Sequence, residues 1–141
     1  MAIISLVLAG AYRLSTASAA SLQNAKEHQQ ALQLAQSQVE LVRGSDTATQ
    51  TAIYAHSTST PFCMVGGSAP TAKDLTGALP ASATSDSFGE YPSQCVQGFY
   101  HLSVVYDSAQ SDLFTIRVRW DGTTGTRQQV SLLYRIHPAT P

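Results

Sequence analysis

Asp112 to Trp120 reads DLFTIRVRW. Phe114, Ile116, Val118 and Trp120 fall on alternate positions, with Thr115, Arg117 and Arg119 between them. Strand side chains project to opposite faces with a period of two, so the stretch predicts a strand with one apolar and one polar face. The alternation returns in Gln128 to Ile136, where Val130, Leu132, Tyr134 and Ile136 share a face. Between the two, Asp121-Gly122-Thr123-Thr124-Gly125 is a hairpin connection. Upstream, Phe99 to Tyr106 has high β propensity, and Asp107 to Ser111 supplies a polar turn. Residues 99–141 are therefore expected to form an antiparallel β-meander with one apolar face.

Such a face must be covered by a second layer. The available partner lies at the other end of the chain. Leu14, Ala17, Ser21, Ala25, His28, Leu32, Ala35, Val39 and Val42 recur at spacings of three or four, one face of an α-helix. No proline precedes Pro61, and Gly44 after Arg43 supplies a C-terminal stop with the cation in the last turn. Leu32, Ala35, Val39 and Val42 are expected to pack on Phe114, Ile116, Val118 and Trp120. The expected fold class is α+β: a long N-terminal helical spine on a three- to four-stranded antiparallel sheet.

The first twelve residues, MAIISLVLAGAY, carry no charge. As a signal peptide they have a suitable apolar run, and Ala17-Ser18-Ala19 resembles a cleavage site. However, no positive charge precedes the run, and the helical pattern continues through the cut. As a membrane span they reach roughly 18 Å where a bilayer core needs about 30 Å. As the start of one helix from Met1 to Arg43, roughly 65 Å long, they exceed any single-domain core. The apolar part, 1–12, then needs lipid or neighbouring copies to bury it, and 13–43 is the amphipathic part. Small residues in the opening (Ala2, Ala9, Gly10, Ala11, Ala17, Ala19, Ala20) allow close helix approach, although alanine also simply favours helix.

MAIISLVLAGAYRL followed by an Ala/Gln-rich amphipathic helix, ending in QLAQSQVELVRG (Gln33 to Gly44), resembles the type IV pilins and pseudopilins, in particular the minor pilins. In that family a prepilin peptidase removes a short basic leader, and methylation marks the new N-terminus. The leader, its terminal glycine and the family's early glutamate do not occur here, so the resemblance implies a chain that starts inside the motif, about ten residues late. It implies a pilin fold and a filament or membrane helix carried by Ile3, Ile4, Leu6, Val7, Leu8 and Gly10. It further implies residence in the inner membrane before assembly, then in an extracellular pilus at the cell surface or a periplasmic pseudopilus. The implied partners are other pilin subunits.

Residues 45–98 read as a loop region rich in Thr, Ser, Gly, Pro and Asp, with breaks at Pro61, Gly66-Gly67, Pro70, Pro80 and Pro92. A short strand is expected near Thr51 to Tyr54. So long an irregular stretch needs a staple. An even number of widely spaced cysteines in an exported chain, here Cys63 and Cys95, reads as one disulfide, with two buried thiols as the alternative. Closing that loop is worth roughly 3.5 kcal/mol on the chain-entropy model. Tyr54, Phe62, Phe88 and Tyr91 suggest partial packing rather than a free linker.

Charged residues make up 12% of the chain, about half the usual share, and the net charge is −1. This balance offers no electrostatic footprint for nucleic acid, and none is expected as a partner. Nothing points to an enzyme, a cofactor or a metal. The histidines His28, His56, His101 and His137 are scattered, the acids sit mostly in turns, and Met64-Val65-Gly66-Gly67-Ser68 lacks the nucleophile-elbow frame. Arg117 and Arg119 mark a candidate exposed contact face, with plain solvation as the alternative. The expected function is that of a minor pilin; the alternatives are a type II secretion pseudopilin and a secreted β-rich binding domain with a cleaved signal.

Overall fold

The computed structural model describes residues 2–56, 60–67, 69–75, 91–110, 112–123 and 125–135. Two helices, α1 (Ala2–Arg43) and α2 (Thr47–Tyr54), precede six strands. The strands are β1 (Phe62–Val65), β2 (Thr71–Asp74), β3 (Val96–Gln97), β4 (Tyr100–Asp107), β5 (Leu113–Asp121) and β6 (Arg127–Arg135). They form one antiparallel sheet in the order β2-β1-β4-β5-β6. β3 and β1 share an edge of β4, at His101 and Tyr100 for β3 and at Val104 for β1.

This overturns the expected fold class. The residues build a β-rich fold with a six-stranded sheet and two helices, not a long spine on three or four strands. Within α1, whose side chains are described from Ser18 on, the buried positions run only from Glu27 to Val42. The extra strands come from the region read as loop. β1 (FCMV) and β2 (TAKD) are four residues each, and β3 is two. Strands this short cannot show a convincing alternation, and the flanking Pro and Gly read as breaks. The strand expected near Thr51 to Tyr54 is instead the end of α2. Asp46 caps that helix, its carboxylate accepting the Thr49 N–H at 2.8 Å. Hydrogen bonding from the Thr49 side chain first, and then from its backbone N–H, holds the Asp46 carboxyl below its usual range.

The core lies between α1 and the inner sheet face. Ala31, Ala35 and Val42 on the helix and Phe114, Ile116, Val118 and Trp120 on β5 are buried, with Val39 packed at the edge. Leu32 departs from the expectation: it is 40% exposed and does not join the core. The helix is rotated so that Glu27, Ala31, Ala35, Gln38 and Val42 form its buried stripe, about one residue from the stripe that apolarity suggested. Two polar side chains, Glu27 and Gln38, occupy stripe positions, and a search for apolar residues passes over them. α2 adds Ile53 and stacks Tyr54 edge-on against Tyr106 (5.3 Å) and Phe114 (5.9 Å).

Candidate functional site

Cys63 and Cys95 are joined in a disulfide with Cα atoms 5.7 Å apart. The bond ties β1 to the turn before β3 and centres a second small core with Leu75, flanked by Val65 and Tyr91. Of the aromatics in this region, Tyr54 and Phe62 pack on the main core and Tyr91 lies edge-on to His101 at 5.1 Å; Phe88 lies outside the described residues.

The backbone of Ile3, Ile4, Leu6, Val7, Leu8 and Gly10 lies within α1, but their side chains lie outside the described ones. The described helix residues before the sheet-packed part, 18–26, are all exposed, Leu22 to 71%. Among the described residues no helix is long and apolar enough to cross a membrane.

The helix meets the sheet at Glu27. Its carboxylate is buried and accepts the Trp120 indole N–H at 3.2 Å and the Gln23 amide at 3.4 Å. His28 abuts the same indole edge-on at 5.0 Å. Tyr100 sends its hydroxyl to the Glu27 carbonyl (3.2 Å) and the Gln30 Oε1 (3.1 Å). Burial, followed by the Glu27 charge, raises the Tyr100 phenol above its usual range. These contacts hold α1 at a fixed rotation.

Two open grooves flank this frame. One, about 280 Å³, lies between α1 and the β3–β4 hairpin and is lined by Gln30, Gln33, Leu34, Gln97 and Tyr100. The other, about 470 Å³, lies between α2 and β2 and contains His56 and Asp74. The His56 ring sits 2.7 Å from the Ala52 carbonyl through Nδ1 and 2.7 Å from the Asp74 carboxylate through Nε2. This His–Asp pair faces neither a serine nor a cysteine among the lining residues. It ties the chain just after α2 to β2; the hydroxyl residues lining the groove are Thr49 and Thr71, and the Thr49 hydroxyl donates to the Pro70 carbonyl. Among the described residues no three His, Cys, Asp or Glu side chains come together as metal ligands would.

Arg117 and Arg119 lie on the outer sheet face, opposite Ser131 and Gln129 on β6. Neither is fully exposed. Arg119 donates to the Gln129 amide oxygen at 3.0 Å. Burial and then the Arg119 charge lower the pKa of Arg117. Arg127 adds an ion pair to Asp121 at 3.4 Å. The expected contact face is thus a partly self-satisfied surface, with Leu133, 70% exposed, as its most prominent apolar point.

No protein-family model, curated protein or solved structure matches the chain.

Sequence reasoning missed the Gln38 bridge and both grooves. Gln38 donates to the Met64 carbonyl (2.9 Å) and accepts the Met64 N–H (2.8 Å), pairing with β1 as another strand would. Its position in the helical stripe was the one available signal. Groove residues 30, 33, 97 and 100 are far apart in sequence, and only the fold of β3 onto β4 brings them together.

Proposed function

We propose that the protein is a structural subunit of a pilus-like filament, a minor type IV pilin in kind, assembled through the apolar first part of α1. The reading does not depend on a pilin fold, since the domain is β-rich. Its main support is the exposed stretch of α1. Residues 18–26 lie before the sheet-packed part of α1 and are all exposed, and the sequence leads back from them to an uncharged, strongly apolar run. An uncharged apolar run is favoured where it finds apolar cover. Neighbouring helices in a filament core would supply it, and the inner membrane would do so before assembly. The disulfide agrees with an exported, extracellular site. The same apolar surface would pass from acyl chains to other pilin subunits, so assembly exchanges one apolar environment for another.

The test is purification of sheared surface filaments from the native host, with mass analysis of the protein found there. The reading expects the chain in the filament fraction, lost from it by Leu6→Asp while the β domain remains folded. Recovery only in the culture medium, with a mature N-terminus at Ala20, would overturn it and leave a secreted binding domain.

A further inference from the structure

The groove between α1 and the β3–β4 hairpin shares Tyr100 and Gln30 with the helix–sheet frame, and Gln33, Leu34 and Gln97 complete its lining. Three of its five lining residues are glutamines and none is charged. The Tyr100 hydroxyl engages the Gln30 carbonyl oxygen, which turns the Gln30 NH₂ away from the tyrosine. Gln33 and Gln97 are exposed, and neither amide bonds to another described side chain. Each offers two donors and a carbonyl acceptor.

An aromatic ring stands beside Tyr100, one of the lining residues. Gly98 and Phe99 form the two-residue tip between β3 and β4, with Gly98 at φ 64° as the first central position of a II′ turn requires. The tip leaves Phe99 48% exposed, its ring 4.3 Å from that of Tyr100 and inclined by 30°.

From these observations we infer that the groove is a binding site for a neutral saccharide, with Phe99 stacking against the C–H face of a sugar ring and Gln33, Gln97 and Gln30 meeting its hydroxyls. Hydroxyls both donate and accept, and so do the facing amides. The absence of charge in the lining disfavours an anionic sugar or a phosphate, which an arginine or lysine would hold. The volume, about 280 Å³, falls just below the usual range of ligand clefts, roughly 300 to 1,000 Å³, and suits the end of a chain rather than its length. The inference stands apart from the filament reading, since it requires only the folded β domain.

The experiment is saturation-transfer NMR on the full chain, held in a zwitterionic detergent without a sugar headgroup. The probes are glucose, galactose and N-acetylglucosamine trisaccharides. Transfer to ring C–H protons of at least one is expected, with affinity falling about tenfold in Phe99→Ala and binding lost in the Gln33→Ala/Gln97→Ala double variant. Leu133→Ser, on the far side of the sheet, is the control that leaves binding unchanged. No transfer from any probe at millimolar concentration overturns the assignment, as does binding indifferent to Phe99 and the glutamines. A glutamine-rich tripeptide that binds more tightly than every sugar, with the same residue dependence, overturns it in favour of a peptide site. Amide spectra of each variant, matching the wild type outside the groove, separate lost binding from lost folding.

Discussion

Residues 99–135 and residues 45–98 contribute strands to one sheet but hold it by different means. In the first region β5 pairs with β4 over seven residue positions and with β6 over nine. Its inner face is apolar at every second residue, so backbone ladder and side-chain burial reinforce each other. In the second, β1 and β2 pair over four positions, and β1 joins β4 at Val104. What such strands lack in length is made up by discrete ties: the Cys63–Cys95 bond, the Gln38 bridge and the His56–Asp74 pair. A long strand is stabilised by repetition, a short one by a few unlike contacts.

If that contrast is right, the largest single loss comes from the repetitive region. Trp120 is fully buried under α1 and donates to Glu27. Trp120→Ala should cost about 3–5 kcal/mol through lost burial and the cavity it leaves. Urea melts followed by circular dichroism would measure it. A loss below about 1 kcal/mol would show that the helix–sheet core is not what stabilises the meander.

The same contrast explains what was legible in the sequence. Alternation in DLFTIRVRW was enough to place β5, and the outcome, Leu113–Asp121, differs by one residue at each end. β6 was legible for the same reason, and β4 from the β propensity of Phe99 to Tyr106. β1 and β2 were not, because four residues hold at most two alternations and their partners are set by a disulfide and a glutamine more than 20 positions away. α1 was legible as a helix, but its rotation was not. Glu27 and Gln38 face inward because Trp120 and Met64 offer them partners, and these partners exist only in the folded chain. Of the candidate site, the cysteine pair could be foreseen from count and spacing. The amide groove could not, since glutamines on a helix read as a solvated face.

Removing the disulfide tests the second region. Cys63→Ser/Cys95→Ser should cost about 3 kcal/mol, close to the chain-entropy value for its loop. The sharper expectation concerns place: amide exchange should quicken in β1 and β2 while β5 and β6 keep their protection. Uniform quickening would mean that the two regions fold as one cooperative unit and that the contrast is only geometric.

Gln38→Leu separates the bridge from the disulfide. Leucine keeps the apolar volume but leaves the buried Met64 N–H and carbonyl without their partner, an expected cost of about 2 kcal/mol. The effect should again be confined to β1. A neutral result would show that water reaches Met64 when the amide is gone, and that burial rather than pairing holds the strand.

The smallest effect sits where the two regions meet. Tyr106 on β4 packs against Tyr54 of α2 and donates its hydroxyl to Asp112 at 2.6 Å. Burial first, and then the Asp112 carboxylate, push its phenol up to about 12. The folded chain therefore keeps this proton more tightly than the unfolded chain, whose tyrosine ionises near 10. The stability this provides is complete below about pH 10 and is lost as pH rises through about 12. Wild type should thus hold a constant advantage over Tyr106→Phe at neutral pH, and the gap should narrow across that alkaline window. Phenolate absorbance should show a step near pH 12 that is missing in the variant. A gap that stays constant through pH 12 would mean that the phenolate is tolerated beside Asp112, and that the junction between the two regions is open to water.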